Sequence, residues 1–341
     1  MYPLISVIVP VYNVEGYVER CINSLLRQSH PYLEIIIVVD GATDRSGIIC
    51  DTLSQKDPRI QVIHKPNGGV GDARNVGVQA ATGEYIGFVD GDDYIHHQMY
   101  EVLRQQLELH RADIAECDYV KVVGHQAERE YSGAPTTLCD NQGALTQLMQ
   151  WKKFDISVWN KLYRRKVVEQ LPFPVGIIHE DEFWTYRAVF QADLLVHVHF
   201  PMYFYQQRAD SILGAGFSPA NFASTEALLE RIAFMRERMP QLAQVAEETF
   251  IVHIFYHLRR LAISHKQPLS ETKPYFDQYA ILLGRQDKVV LRSFCTTRKR
   301  RLQIWFARVL IKIHIPLFRI VSGTLFKIKH RLGRDRYVEH T

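Results

Sequence analysis

Residues 88–94 read Phe-Val-Asp-Gly-Asp-Asp-Tyr, directly after Tyr85-Ile86-Gly87. Three carboxylates, Asp90, Asp92 and Asp93, therefore crowd the end of what reads as a strand. The acids repel one another, and burying any of them without a partner is costly. Asp90 and Asp92 stand two positions apart, so on an extended backbone they project from one side. Such a pair suits a hard divalent cation, because Mg2+ is typically held by one or two carboxylates together with substrate phosphates. The same acids would equally make a solvated turn, with an Asp capping the helix that follows. The surrounding sequence decides between the two.

Working outward, the first 118 residues alternate between two periods. Short, almost continuous apolar runs at 5–11, 33–39, 60–64, 84–90 and 112–120 predict strands. Segments with apolar residues at helical spacing, 15–28, 46–55, 71–82 and 99–110, predict the helices between them. Repeated βα units of this kind predict a mostly parallel sheet covered by helices on both faces. Ligands of such sheets bind beyond the carboxyl ends of the strands. The polar turns fall at those ends: Asn13, Asp40-Gly41, Asn67-Gly68-Gly69, and Asp90 to Asp93. Four polar turns converging on one edge predict a site there.

Residues 119–215 are less regular, and from about Pro219 onward the chain reads helical, with breaks at Pro240, Pro268 and Pro316. The five cysteines (Cys21, Cys50, Cys117, Cys139, Cys295) form no CxxC pair, which argues against a disulfide framework or a cysteine zinc site and fits a reducing compartment. Residues 4–11 read as a first strand and not as a signal peptide. No uncharged apolar stretch reaches about 18 residues, so no spanning helix is expected. The formal charge of +4 is uneven: residues 285–341 carry 15 Lys/Arg against 3 Asp/Glu, which leaves the preceding body acidic. An acidic body with a basic tail predicts an anionic partner for the tail.

The polar turns occur in a definite order. They are Ser6-Val-Ile-Val-Pro-Val-Tyr-Asn13, Asp40-Gly-Ala-Thr-Asp44, Asn67-Gly-Gly-Val-Gly-Asp-Ala-Arg-Asn-Val-Gly77, and Ala81 through Asp93. Further on come Val158-Trp-Asn-Lys-Leu-Tyr163, Ile178-His-Glu-Asp-Glu-Phe183, and Tyr203-Phe-Tyr-Gln-Gln-Arg208 with Ser211. Over about the first 215 residues the chain closely resembles the family 2 glycosyltransferases of GT-A fold, of the bacterial polysaccharide-biosynthesis type.

The resemblance implies an α/β GT-A fold: a mostly parallel nucleotide-binding sheet flanked by helices, with a C-terminal helical extension. It implies a nucleotide-sugar-binding half at 1–118, an acceptor-binding half at 119–215, and a helical basic extension at 216–341. The implied donor is a nucleotide-diphosphate sugar, a UDP-hexose or UDP-N-acetylhexosamine. The implied acceptor is a glycan or lipid-linked oligosaccharide, and the cofactor Mn2+ or Mg2+. Donor contacts fall on Pro10, Tyr12, Asn13, Asp40, Gly41, Asn67, Gly69, Arg74, Asp90, Gly91 and Asp92. Asp90 meets the ribose, Asp92 (with Asp90) the metal, and Arg74 the leaving diphosphate. Asp181 takes the position of the catalytic base, with Glu180 as runner-up, and one displacement inverts the anomeric centre. Lys161, Arg208 and Ser211 are candidate phosphate or acceptor contacts, and His179 a candidate third metal ligand. One departure stands out. The family usually has two acids before the glycine of the second turn, whereas this chain has Val39-Asp40-Gly41. Asp40 alone is left to read the base.

Other residues have plainer readings. Arg74 and Asn75 would also serve a helix start, as would Glu180 and Asp181. His253 and His257 stand four apart without an HExxH glutamate and read as a packed helix face. His197 and His199 alternate on a strand and read as non-catalytic. Tyr186, Phe190, Tyr203 and Tyr205 read as core, although sugar faces do stack on aromatic rings. In the tail, Arg301, Arg308, Lys312 and Arg319 lie within about 40° of one face of a helix, and the rest of its surface is largely apolar. That pattern predicts peripheral attachment to an anionic membrane surface, on the cytoplasmic side, against packing on the chain's own domain or in a homodimer. Nucleic acid is not expected, since no recognition motif accompanies the basic run. A nucleotidyltransferase is disfavoured because Pro-Val-Tyr-Asn-Val-Glu stands where a basic glycine-rich loop belongs, and a non-catalytic sugar-nucleotide-binding or scaffold protein of the same fold is the other alternative.

Overall fold

The strands of the N-terminal half are rich in Ile and Val and form a buried core. The computed structural model describes residues 2–208 and 221–263, with 274–275, 277–279 and 281–282. The chain divides into two compact units, Met1–Leu148 with Lys152–Ser211, and Met149–Trp151 with Ile212–Thr341.

In the first unit β1 (Ile5–Val11), β2 (Leu33–Asp40) and β3 (Ile60–Lys65) are joined by α1 (Val18–Leu26) and α2 (Ser46–Ser54). Helix α3 (Val70–Ala80) then carries the chain to β4 (Tyr85–Phe88). The strand order is β3-β2-β1-β4, all parallel. Winding therefore proceeds from β1 to β3 in one direction and returns to the other side of β1. The reversal leaves a crevice beyond the carboxyl ends of β1 and β4, where open α/β sheets bind ligands.

The sheet continues through segments that read as irregular. The short β5 (Tyr94–Ile95) precedes α4 (Met99–His110) and β6 (Ile114–Val122). Next come β7 (Thr136–Asp140), α5 (Asn141–Met149), β8 (Lys161–Arg164), α6 (Arg165–Val168), α7 (Glu180–Gln191) and the long β9 (Leu194–Gln206). Beyond β4 the order is β8-β6-β9-β5, with β7 on β9. Only β5, β7 and β8 run against the common direction, so the sheet is mostly parallel, as expected. β6 crosses the expected 118/119 junction, so the two halves of the domain share one sheet.

The second unit contains α8 (Asn221–Arg238) and α9 (Ala243–Ile263). Ala227, Leu228, Met235, Phe250, Ile251 and Ile254 form its buried face. Arg236 pairs with Glu247. His257 is buried with its ring parallel to Tyr279, and Thr225 meets His253, which agrees with a packed face. The basic helix expected at 298–331 lies outside the described residues. Among the described residues no helix is long and apolar enough to cross a membrane.

Candidate active site

Several of the residues that the sequence singles out lie in the turns beyond β1 and β4. Pro10 closes β1 and Gly91 follows β4. A Cβ on Gly91 would stand 3.0 Å from the Pro10 carbonyl oxygen, tighter than ordinary contacts, so glycine keeps the two turns together. Tyr12 is 51% exposed, its ring open beside the crevice. Asn13 adopts φ 49°, and its Oδ1 accepts from Thr43 N–H (2.8 Å) and Asp44 N–H (3.4 Å). Its side-chain oxygen thus ties the first turn to the second.

The three acids after β4 have three different environments. Asp93 is fully buried. It accepts from the Tyr203 hydroxyl (2.6 Å) and the Gln206 backbone N–H (2.8 Å). Burial, then the charges of Asp92 and Asp90, push its carboxyl well above the usual carboxylate range. Asp93 therefore anchors β9 to the acidic turn. Asp90 accepts from Arg74 Nη2 at 2.8 Å, and its backbone N–H donates to the Tyr203 hydroxyl. Asp92 accepts from Arg208 Nη1 at 3.1 Å and its side chain is 26% exposed. Burial and the neighbouring Asp90 raise its carboxyl, opposed by Arg208. Asp90 is open to the same degree. Two partly open carboxylates on one strand end are a fitting donor set for Mn2+ or Mg2+.

Arg74, on α3, is almost wholly buried and bridges Asp90 and Glu180. Burial opposes its charge, but Asp90 and then Glu180 outweigh that and hold the guanidinium charged. Glu180 opens α7 and Asp181 follows it. The Asp181 carboxylate accepts the Glu182 backbone N–H at 2.9 Å. Burial, then Glu180 and Glu182, raise Asp181 well above the usual range, with Arg74 pulling the other way. The two acids thus differ: Glu180 is committed to Arg74, and Asp181 is a carboxyl of raised proton affinity.

Several expected contacts are occupied elsewhere. Asp40 is buried, and its carboxylate accepts from Gly68 N–H (2.9 Å), Gly69 N–H (2.8 Å) and Lys65 Nζ (2.5 Å). Asn67 Nδ2 donates to the Asp40 carbonyl. Gly41 has φ 67°, and a Cβ there would meet Asn67 N at 2.6 Å, so this turn and the 66–69 turn are built on each other. The Asp40 oxygens thus hold the loop that presents α3. Val39 is buried too. Lys161 is corrected as a phosphate contact. It is fully buried, paired with Glu116 at 3.1 Å, and donates to the carbonyls of Asp155 and Ser157 and to Asn160 Oδ1. No donor is left to turn outward. His179 sits in the left-handed region (φ 64°) just before α7, and no hydrogen bond or ion pair is described between it and Asp90 or Asp92. Ser211 lies outside the described residues.

Two residues join the site without having been singled out. Arg20, on α1, donates to the backbone oxygens of Asp92 (2.9 Å) and Gly124 (3.0 Å) and to Gln206 Oε1 (2.9 Å). It lies over the Tyr94 ring at 4.4 Å. An isolated arginine in an amphipathic helix carries no local signal of this. Trp159 stacks on Tyr203 at 4.1 Å and on Tyr205 at 5.6 Å while remaining partly exposed. Its place within the Val158–Tyr163 stretch was the available signal.

The chain is similar to known proteins in sequence and in fold. The pattern of Glycosyl transferase family 2 matches residues 6–172. Glycosyltransferase GlyG of Streptococcus pneumoniae serotype 4 is 33% identical over 227 residues, covering 64% of this chain and 75% of its own length. The chain belongs to the family 2 glycosyltransferases. The uncharacterized glycosyltransferase EpsJ of Bacillus subtilis is 38% identical over 230 residues, 64% of this family 2 chain and 66% of EpsJ. The fold matches that of S. aureus TarS 1–349, solved in complex with UDP-GlcNAc, with a TM-score of 0.72 at 22% identity over 95% and 92% of the two chains.

Proposed function

We propose that the chain transfers a hexosyl group from a UDP-hexose or UDP-N-acetylhexosamine to a hydroxyl of a glycan or lipid-linked oligosaccharide, with inversion, in the assembly of a surface polysaccharide. The observation that carries this reading is the D-x-D pair, Asp90 and Asp92, held partly open at the β1/β4 crevice beside the Arg74–Glu180–Asp181 group. The likeness to TarS, solved with UDP-GlcNAc, supports a nucleotide-sugar donor.

Asp90 and Asp92 would hold Mn2+ or Mg2+, which supplies neutralisation of the leaving diphosphate when bound. Arg208, beside Asp92, adds a cation near the same group. Asp181 accepts the proton of the acceptor hydroxyl as that oxygen attacks the anomeric carbon. Its raised proton affinity suits a general base. Arg74 keeps Glu180 and Asp90 in place, so Glu180 orients the base and does not replace it. The diphosphate leaves from the face opposite the attacking oxygen, and the configuration inverts. Since Val39 is apolar, Asp40 is the acid of the second turn left to read the base, with the open Tyr12 ring available to stack on it. Trp159 offers a stacking face to an acceptor sugar. The basic tail supports work at the inner face of the cytoplasmic membrane.

The test is nucleoside-diphosphate release from a panel of nucleotide sugars, with Mn2+ or with EDTA, for wild type and Asp92→Asn. Release from one donor, dependent on metal and lost in the variant, is expected. Absence of both release and metal-dependent nucleotide binding would remove the donor-site assignment. Metal-dependent binding that never leads to release, with acceptors supplied, would favour a non-catalytic sugar-nucleotide-binding protein.

A further inference from the structure

A second group of polar side chains lies away from the crevice, on the strands β6 and β9. Among the described residues two groups outside the D-x-D turn bring three metal-type ligands together: His96, His97 and Glu128, and Asp118, His197 and His199. The first is closed to a cation. His96 Nε2 donates to the Arg129 carbonyl at 2.7 Å and Nδ1 accepts the Gln98 backbone N–H at 3.1 Å. Both ring nitrogens are used, and no lone pair is left.

In the second group His199 Nε2 is hydrogen-bonded with the Thr137 hydroxyl at 2.8 Å, so its Nδ1 is the ring nitrogen available to an ion. His197 and His199 are two apart on β9 and share a face. The donor atoms of Asp118, His197 and His199 all lie within 4.8 Å of one another. Two ligands on a tetrahedral zinc, each at about 2.0–2.1 Å, stand about 3.3 Å apart. His197 Nε2 is 2.8 Å from Asp118 Oδ1, so a small outward swing of the partly exposed Asp118 admits an ion between them. On its other side His197 is almost wholly buried, and its Nδ1 makes no hydrogen bond. The Glu116 carboxylate stands 3.4 Å from that atom. Glu116 is itself buried and held by Lys161 at 3.1 Å and by the Asp155 backbone N–H at 3.0 Å. A carboxylate behind the distal nitrogen of a ligating histidine fixes its tautomer and raises its basicity.

The backbone is irregular at this spot. β6 and β9 pair in register up to Cys117 and Val198, but Asp118 then pairs with Pro201 and Tyr119 with Tyr203. The extra residues on β9 begin with His199. Bulges of this kind re-aim side chains and concentrate next to functional sites. Here the bulge turns Asp118 and His199 to the same place as His197. Asp118 and His199 stay partly open to solvent, which gives an ion a way in.

We infer that Asp118, His197 and His199 form a second divalent-metal site, of zinc type, with Glu116 as the carboxylate behind His197. It is separate from the D-x-D turn and uses nitrogen ligands where that turn offers only oxygen. One carboxylate and two imidazoles favour zinc-class ions over Mg2+. The site joins β6 to β9, the pair that carries Tyr203 and Gln206 down to Asp93.

The test uses the full chain, stripped with chelator and titrated with Co2+ while visible absorption is recorded, followed by displacement with Zn2+. Wild type, Asp92→Asn, Asp118→Asn and His199→Ala are compared. The expected result is one Co2+ equivalent with the intense ligand-field bands of four- or five-coordinate cobalt. These are retained in Asp92→Asn, and affinity falls by more than about 100-fold in the other two variants. His199 is partly exposed, so His199→Ala is expected to keep the circular-dichroism spectrum of the stripped wild type. Absence of such bands in wild type, or bands and affinity unchanged in both Asp118→Asn and His199→Ala, would overturn the assignment and leave an adventitious ion only.

Discussion

The turns after β2 and β4 look alike in sequence and are used differently. Each places an acid and a glycine at the carboxyl end of a central parallel strand. After β2 the Asp40 carboxylate accepts from two backbone N–H groups of the 66–69 loop and from Lys65, so most of its acceptor capacity is spent within the fold. After β4 the acids divide the work. Asp93 is spent on Tyr203 and Gln206, whereas Asp90 and Asp92 keep part of their surface open and face only arginines. An acid at a strand end is therefore available for chemistry only where the backbone around it leaves its oxygens unclaimed. Arginines can turn from a carboxylate to a phosphate. Backbone N–H groups in a tight turn cannot.

Four substitutions sharpen or break this contrast. Asp92→Asn is expected to lower kcat by about 10³-fold or more, the scale of losing a principal electrostatic stabiliser, while the melting temperature holds or rises because a repelling charge is removed. Steady-state kinetics with the donor that the release assay selects, alongside calorimetry, checks both halves. Asp181→Asn is expected to cost about 10²–10⁴-fold in kcat, the range for a general base. In wild type kcat/KM falls as pH is lowered through the raised Asp181 value, because the base must be unprotonated. This acidic limb therefore starts above the ordinary carboxylate range, and a pH profile in which the variant keeps the limb would remove Asp181 from the role.

The remaining two test stability. Lys161→Ala removes the lysine from the buried Glu116, which keeps only His197 and the Asp155 N–H beside it, and is expected to destabilise by about 3–5 kcal/mol, read as a shift of the denaturant midpoint, with KM for donor little changed in protein that remains folded. Asp40→Asn is expected to cost about 1–3 kcal/mol by leaving buried N–H groups poorly matched, with kcat within a few fold of wild type. If Asp40→Asn instead abolished donor binding while the midpoint held, the two turns would be equivalent and the contrast would fail.

Much of the first unit was legible. β1 to β4 and the helices between them follow from runs of Ile and Val broken by helical periodicity, and their polar turns fell on one edge as expected. Other parts were not. β5 is two residues long, and Tyr94 and Ile95 form a strand only because Phe204 and Tyr203 lie opposite. β8 is a four-residue strand inserted between β4 and β6, and no local pattern marks which neighbours it will find. Arg20 reaches the Asp92 backbone across 72 positions.

Chain order and residue type alone thus determined the βα winding, the edge where the turns converge, and the acids offered there, because periodicity and strand-end position are local properties. Which acids stay open was decided only in three dimensions. The Gly68 and Gly69 N–H groups claim Asp40, Tyr203 and Gln206 claim Asp93, and Arg74 ties Glu180 to Asp90. Each of these depends on groups distant in the chain, and a carboxylate's availability is set by whatever folding places against it.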